Sequence, residues 1–99
     1  MGVLDKNLEE IRLLCTMYKV ESMYLFGSAT NSNFTNNSDI DFLVKFKNMD
    51  LSDYFDNYMS LKSRLEKICG RSVDLVEEQT LRNPILINSI KNSKELIYG

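Results

Sequence analysis

The stretch Asp39–Phe46, DIDFLVKF, constrains the fold of this 99-residue chain more than any other segment. Its apolar residues run almost continuously instead of alternating with polar ones, which is typical of a strand covered on both faces. Such a strand lies inside a sheet that has other structure packed on each side. We therefore expect an α/β (α+β) domain in which Asp39–Phe46 is a central strand.

Apolar periodicity divides the rest of the chain into helices and strands. Residues 28–38 are rich in Asn, Ser and Thr and predict a loop. We expect one domain, residues 1–99. The predicted elements are a helix at Asp5–Lys19, strands at Val20–Phe26 and Asp39–Phe46, a helix from Leu51 to Gly70 with Ser52 as N-cap, a strand at Ser72–Val76, a short helix starting at Pro84, and an edge strand at Glu95–Tyr98.

The composition excludes several kinds of catalysis. The chain has no histidine, which removes the Ser-His-Asp triad, a histidine general base and histidine-ligated zinc. Acid–base or metal chemistry therefore falls mainly to carboxylates. The net charge of −2 argues against a broad surface for duplex nucleic acid, while a small nucleotide remains compatible with it.

The cysteines and the N-terminus indicate a cytoplasmic protein. Cys15 and Cys69 form no CxxC pair and lie on apolar helical stripes, so buried free thiols are favoured over the alternative of a single disulfide. The first residues lack the basic and apolar regions of a secretory signal, and no run approaches the roughly 20 apolar residues of a membrane span. Packing in or near the core is also expected of Tyr54, Phe55, Tyr58 and Met59.

Asp39 and Asp41 are the residues that a buried strand explains least well. Side chains two apart on a strand point to the same face, so the two carboxylates share one small volume. Charges about 4 Å apart repel by about 4 kcal/mol at an effective dielectric near 20, and a divalent cation removes that conflict. Carboxylate oxygens favour Mg²⁺ over zinc, and Mg²⁺ is usually completed by substrate phosphates.

Two further features extend this pair into a candidate catalytic site. Gly27-Ser28 follows a predicted strand, where a glycine lets the backbone approach an anion and the serine hydroxyl can donate to phosphate. Asp74, on a third strand, can join the pair if that strand is adjacent. Three carboxylates and a phosphate cradle suit nucleotidyl transfer with two Mg²⁺ ions. Taken singly, Gly27-Ser28 is more often a strand-ending turn with an N-cap serine, and Asp74 is more often a strand-edge residue that faces solvent.

The ordered features resemble a known signature. Gly27-Ser28, the spaced Asp39-Ile40-Asp41 and the later Ser72–Val76 segment are similar to the GS and DxD pattern of the DNA polymerase beta-like nucleotidyltransferase superfamily. Together with Leu81-Arg82-Asn83-Pro84 and the short length, they resemble its minimal nucleotidyltransferase (MNT) branch of HEPN/MNT antitoxins.

The resemblance implies a small mixed β-sheet flanked by helices, with ATP as nucleotide donor and two Mg²⁺ ions. It implies phosphate binding by Gly27 and Ser28, and metal binding and catalysis by Asp39, Asp41 and Asp74. It also implies a HEPN-domain partner, to which an antitoxin of this type transfers AMP. Ala29 stands where many members have Arg, and Ser32 where they have Gly. A nucleotidyltransferase-fold module that neutralises a HEPN-type partner by contact alone is therefore the alternative.

Overall fold

The computed structural model describes residues 7–27 and 39–99, and the predicted alternation of helices and strands is present in them. Residues 5 and 6 of the first predicted helix lie outside the described part. In chain order the elements are α1 (Leu8–Met17), β1 (Val20–Phe26), β2 (Ile40–Phe46), α2 (Leu51–Cys69), β3 (Val73–Glu77), a 3₁₀ turn (Glu78–Thr80), α3 (Pro84–Ser93) and β4 (Glu95–Tyr98).

The four strands form one mixed sheet in the order β3-β2-β1-β4. β2 runs antiparallel to β1 and parallel to β3, while β4 pairs antiparallel with the other side of β1. The predicted mixed sheet and the central position of the Asp39–Phe46 segment are thus confirmed. β3 and β4 are the edges of this sheet.

The two faces of the sheet carry different layers. One face packs against α1 and α2 through the main core, in which Ile11, Phe42 and Leu61 are fully buried. The opposite face carries a smaller cluster made by Phe26, Leu43 and Ile90, the last of these from α3. Because side chains alternate along a strand, Asp41 and Leu43 of β2 belong to this second face.

The ends of the helices follow local chemistry, with one difference from the sequence prediction. Asp50, and not Ser52, is the N-cap residue of α2. Gly70 ends that helix in the left-handed region at φ 67°, as its position predicts. α3 begins with Pro84 in its first turn, where the side chain of Asn83 accepts hydrogen bonds from the amides of Ile85 and Leu86.

The aromatic and methionine side chains of α2 divide between two environments. Tyr54 and Tyr58 are half-buried and pack against the main core. Phe55 is 66% exposed and Met59 is 44% exposed, so the predicted packing of these two residues is wrong. Helical spacing alone did not separate them, because the apolar stripe read from the sequence is wider than the face that the sheet covers.

Both cysteines are free, which agrees with the favoured prediction. Cys15 is 0% exposed, and its burial raises the pKa of the thiol to about 12. The pKa of the half-buried Cys69 thiol is also raised, because the effect of burial exceeds the opposite effect of the positive charge of Arg71. None of the helices in the described part of the chain is long and apolar enough to cross a membrane.

We expect a maleimide at pH 8 to label Cys69 in the folded protein and to leave Cys15 unlabelled until the chain unfolds. The physical reason is that the thiolate is the nucleophile, and Cys15 is both inaccessible and protonated at that pH. Peptide mapping after labelling measures the two sites separately, and Cys69→Ser provides the control. Equal labelling rates at both cysteines in the native protein would contradict the buried position of Cys15.

Candidate active site

Two of the predicted site residues, Asp41 and Asp74, lie on neighbouring strands at one end of the sheet. The register of the parallel pair β2–β3 sets Asp41 directly beside Asp74, and the register of β1–β2 sets Phe26 on the other side of Asp41. Adjacent strands are about 4.8 Å apart. The adjacency of the third strand, on which the role of Asp74 depends, is therefore present in the structure.

Gly27, which follows β1, contacts the same carboxylate. Its φ is +76°, in the left-handed region that favours glycine. A Cβ built at Gly27 would overlap Oδ2 of Asp41 and lie 3.2 Å from its Cγ. The absence of a side chain at position 27 therefore leaves room for the Asp41 carboxylate at the end of β1.

The surroundings of Asp41 disfavour the ionised form of its carboxyl group. The side chain is half-buried, and burial raises the pKa of its carboxyl above the ordinary value. The negative charges of Asp74 and of Asp39 raise that pKa further. Asp39, exposed just before β2, thus acts on Asp41 electrostatically, as the same-face spacing predicts. A cation at this point would lower the repulsion among the three carboxylates.

The carboxylate oxygens of the site are ligands that suit Mg²⁺, although the side chains of the described residues are not already arranged as a metal site. The carboxylates of Asp39, Asp41 and Asp74 supply only hard oxygen ligands, which Mg²⁺ prefers. Within residues 7–27 and 39–99, no group of three or more Asp, Glu, Cys or His side chains has an arrangement ready to hold a metal ion. Ser28, predicted to bind phosphate, lies outside the described residues.

Two side chains of α2, which the sequence did not single out as site residues, contact β3 on either side of Asp74. The amide of Val73 donates to Oε2 of Glu66 at 3.1 Å. The hydroxyl of Tyr58 donates to the carbonyl oxygen of Leu75. Tyr58 and Glu66 are eight residues apart, a spacing that returns to the same helix face, and this was the available sequence signal.

A cavity of about 280 Å³ lies on the face that α3 covers, and Leu43, two residues after Asp41 on β2, is one of its walls. Its walls include Leu43 of β2 and Ile90 of α3, and Lys91 and Lys94 contribute positive charge. The ammonium of Lys94 lies 4.3 Å from the centre of the Tyr24 ring. Glu78 also lines the cavity, which therefore combines an apolar wall with two cations and one carboxylate.

Comparison with known proteins identifies the family. Residues 9–99 match the family described as polymerase beta, nucleotidyltransferase. The chain is 40% identical over 89 residues to the candidate protein adenylyltransferase MJ1379 of Methanocaldococcus jannaschii, covering 88% of this chain and 84% of the relative. It is 37% identical over 87 residues to a second such protein of that organism, MJ0128, with the same coverage.

Solved structures of similar fold agree with this family. A candidate minimal nucleotidyltransferase matches with a TM-score of 0.78 and 27% identity, covering 96% of this chain and 95% of the other. A toxin–antitoxin structure with AMP-PNP matches with a TM-score of 0.73 and 25% identity over 94% of this chain and 73% of the other. The complex of tri-AMPylated Shewanella oneidensis HEPN toxin with MNT antitoxin matches with a TM-score of 0.67 and 22% identity, over 96% and 71%.

The fold, the row formed by Gly27, Asp41 and Asp74, and these matches agree with one another. The chain belongs to the polymerase beta nucleotidyltransferase family, and its relatives and structural neighbours support a nucleotidyltransferase.

Proposed function

We propose that this protein is a Mg²⁺-dependent adenylyltransferase that transfers AMP from ATP to a hydroxyl group of a HEPN-domain protein, as the antitoxin of a toxin–antitoxin pair. The observation that carries the proposal is the pairing of Asp41 with Asp74 on adjacent strands, with Gly27, just after β1, against the Asp41 carboxylate. The protein would act in the cytoplasm, where ATP is available.

The names of the relatives support the chemistry and the partner. Two relatives are candidate protein adenylyltransferases. Structural neighbours include a toxin–antitoxin structure with AMP-PNP and a complex of an AMPylated HEPN toxin with MNT antitoxin. These descriptions favour ATP over other donors and a HEPN-type protein over a small molecule as acceptor.

Each site residue has a role in this proposal. Asp39 and Asp41 would hold Mg²⁺ together with the phosphates of ATP, and Asp74 would hold a second Mg²⁺ on the acceptor side. When bound, the ions neutralise the phosphates and increase the acidity of the attacking hydroxyl. Gly27 would let the chain approach the phosphates closely, with the Ser28 hydroxyl donating to them.

The proposed reaction transfers AMP from ATP to the acceptor hydroxyl in one displacement at phosphorus. The acceptor oxygen attacks the α-phosphorus of ATP, forming the new P–O bond as the bond to the bridging α,β-oxygen breaks. Pyrophosphate leaves with that electron pair, and the proton of the hydroxyl passes to the Asp74 carboxylate. The cavity at Leu43 and Ile90 would take the nucleoside, and Lys91 and Lys94 would attract the phosphates.

Titration calorimetry with ATP tests this proposal and separates it from a module that acts by contact alone. We expect ATP to bind in the presence of Mg²⁺ and to bind at least about 10-fold more weakly after chelation or in Asp39→Asn, because metal and phosphate bind together. Asp56→Asn, which removes an exposed carboxylate of α2, is the control and should bind like wild type. Absence of Mg²⁺-dependent binding in the wild type would favour the contact module.

A further inference from the structure

The edge strand β3 carries Asp74, and its outer backbone groups do not pair with another strand of the described sheet. The amide of Ile40 donates to the carbonyl of Ser72 at 3.1 Å, so the backbone groups of Ser72 face β2. Because successive residues of a strand turn their backbone groups to opposite sides, Asp74 also bonds toward β2. Val73 and Leu75 face the outer edge.

Side chains hydrogen-bond to one outer backbone group of Val73, of Leu75 and of Glu77. Glu66 of α2 accepts the hydrogen bond of the Val73 amide, and Tyr58 of α2 donates to the Leu75 carbonyl. The hydroxyl of Thr80 donates to the carbonyl of Glu77 at 2.8 Å, further along the strand. The first two contacts lie immediately before and immediately after Asp74. They attach the backbone on both sides of the aspartate to a 19-residue helix that is anchored in the core.

We propose that Tyr58 and Glu66 are positioning residues for Asp74. They fix the edge strand that carries the acceptor-side carboxylate, and they prevent the strand from moving away from β2 when a cation and an acceptor bind. The inference rests on the proposed function, since it assigns to Asp74 a role in holding a metal ion. Edge strands are the parts of a sheet most free to move, so a carboxylate placed there needs such support.

The arrangement on α2 distinguishes Tyr58 from its neighbour. Tyr54 lies one turn earlier and stacks on Tyr58 with ring centroids 6.3 Å apart, but β3 receives its hydrogen bond from Tyr58. Removing the hydroxyl from either tyrosine keeps the aromatic ring and its packing. Tyr54→Phe is therefore a matched control for Tyr58→Phe. For the carboxylate, Glu66→Gln keeps an acceptor oxygen for the Val73 amide, whereas Glu66→Ala removes it.

The test measures Mn²⁺ affinity by electron paramagnetic resonance, with AMP-PNP bound so that no turnover occurs. We expect Tyr58→Phe and Glu66→Ala to weaken the acceptor-side Mn²⁺ about 10-fold, which is typical for loss of a group that orients a metal ligand. Asp74→Asn should weaken the same Mn²⁺ at least as much. Tyr54→Phe and Glu66→Gln should match the wild type. Hydrogen exchange should show faster exchange of the Val73 amide in Glu66→Ala only.

The outcomes separate this inference from the proposed function. Weaker Mn²⁺ binding in Asp74→Asn with unchanged binding in Tyr58→Phe and Glu66→Ala overturns the positioning role and leaves the proposed function intact. Faster exchange at Val73 without any change in Mn²⁺ affinity also overturns it, since the contacts would then serve only the strand. Unchanged Mn²⁺ binding in Asp74→Asn itself overturns both the inference and the role proposed for Asp74.

Discussion

Asp41→Asn is expected to lower AMP transfer by about 1,000-fold and, at neutral pH, to raise the free energy of unfolding. The loss of activity follows from the proposed role of the Asp41 carboxylate in holding Mg²⁺ and ATP. A metal ion supplies several kcal/mol of charge stabilisation in the transition state, and about 1.4 kcal/mol corresponds to a factor of ten in rate. Asparagine has nearly the same shape but lacks the charge.

The gain in stability follows from the pKa of Asp41. Burial, Asp74 and Asp39 raise the pKa in the folded state above that of the unfolded chain. The folded state therefore binds the proton more tightly, and the stability that Asp41 contributes is full below the unfolded pKa and is lost as the pH rises through the folded pKa. Asp41→Asn avoids that loss. The stability advantage of this variant over the wild type should grow as the pH rises above about 4, the ordinary pKa of an aspartate, and level off above the folded-state pKa of Asp41.

Urea denaturation without divalent cations at a series of pH values measures this difference, and mass spectrometry measures AMP transfer. Asp56→Asn removes a carboxylate on the other side of the sheet and should change neither quantity. A variant Asp41→Asn that is less stable than the wild type at pH 7, or that transfers AMP at the wild-type rate, would contradict the electrostatic account of this site.

Gly27→Ala is expected to lower AMP transfer by at least about 100-fold and to lower the free energy of unfolding by about 1–2 kcal/mol or more. The stability loss comes from a non-glycine residue at φ +76°. The loss of activity comes from overlap between the new Cβ and Oδ2 of Asp41, which forces the carboxylate to move. A displacement of about 1 Å can cost a factor of 100 in rate.

Gly70→Ala separates the two effects. Gly70 has a similar positive φ, +67°, but a Cβ added there meets no heavy atom within 4 Å. This variant should lose about 1–2 kcal/mol of stability and keep its transfer activity. Chemical denaturation and single-turnover assays on both variants provide the comparison. Equal activity losses in the two variants would show that Gly27 serves only the turn.

Periodicity and turn chemistry were sufficient to predict much of this fold. The continuous apolar residues of Asp39–Phe46 predicted a central strand because only a covered strand tolerates them. Pro84 predicted the start of a helix because its ring fixes φ, and Gly70 predicted the end of one because glycine can adopt a positive φ. The exposure of Phe55 was not predictable. It depends on how much of α2 the sheet covers, and the spacing of apolar residues along a helix carries no information about that.

The same limit applies to the site. Same-face spacing predicted that the charge of Asp39 acts on Asp41, because two residues that lie two positions apart on a strand are neighbours whatever the strand order. Asp41 and Asp74 lie side by side because β2 and β3 are adjacent in the sheet. The sequence alone did not determine this strand order. The spacing of Tyr58 and Glu66 indicated a shared side of α2, but their contacts with β3 depend on the packing of α2 against an edge of the sheet, which that spacing does not give.

Intact-mass spectrometry of a HEPN-domain acceptor, incubated with this protein, ATP and Mg²⁺, measures whether this protein transfers AMP. We expect the acceptor to gain the mass of AMP, chelation of Mg²⁺ to abolish the gain, and Asp41→Asn to abolish it while Asp56→Asn does not. An acceptor that is neutralised without any gain in mass, equally well by wild type and Asp41→Asn, would contradict the claim that this site performs AMP transfer.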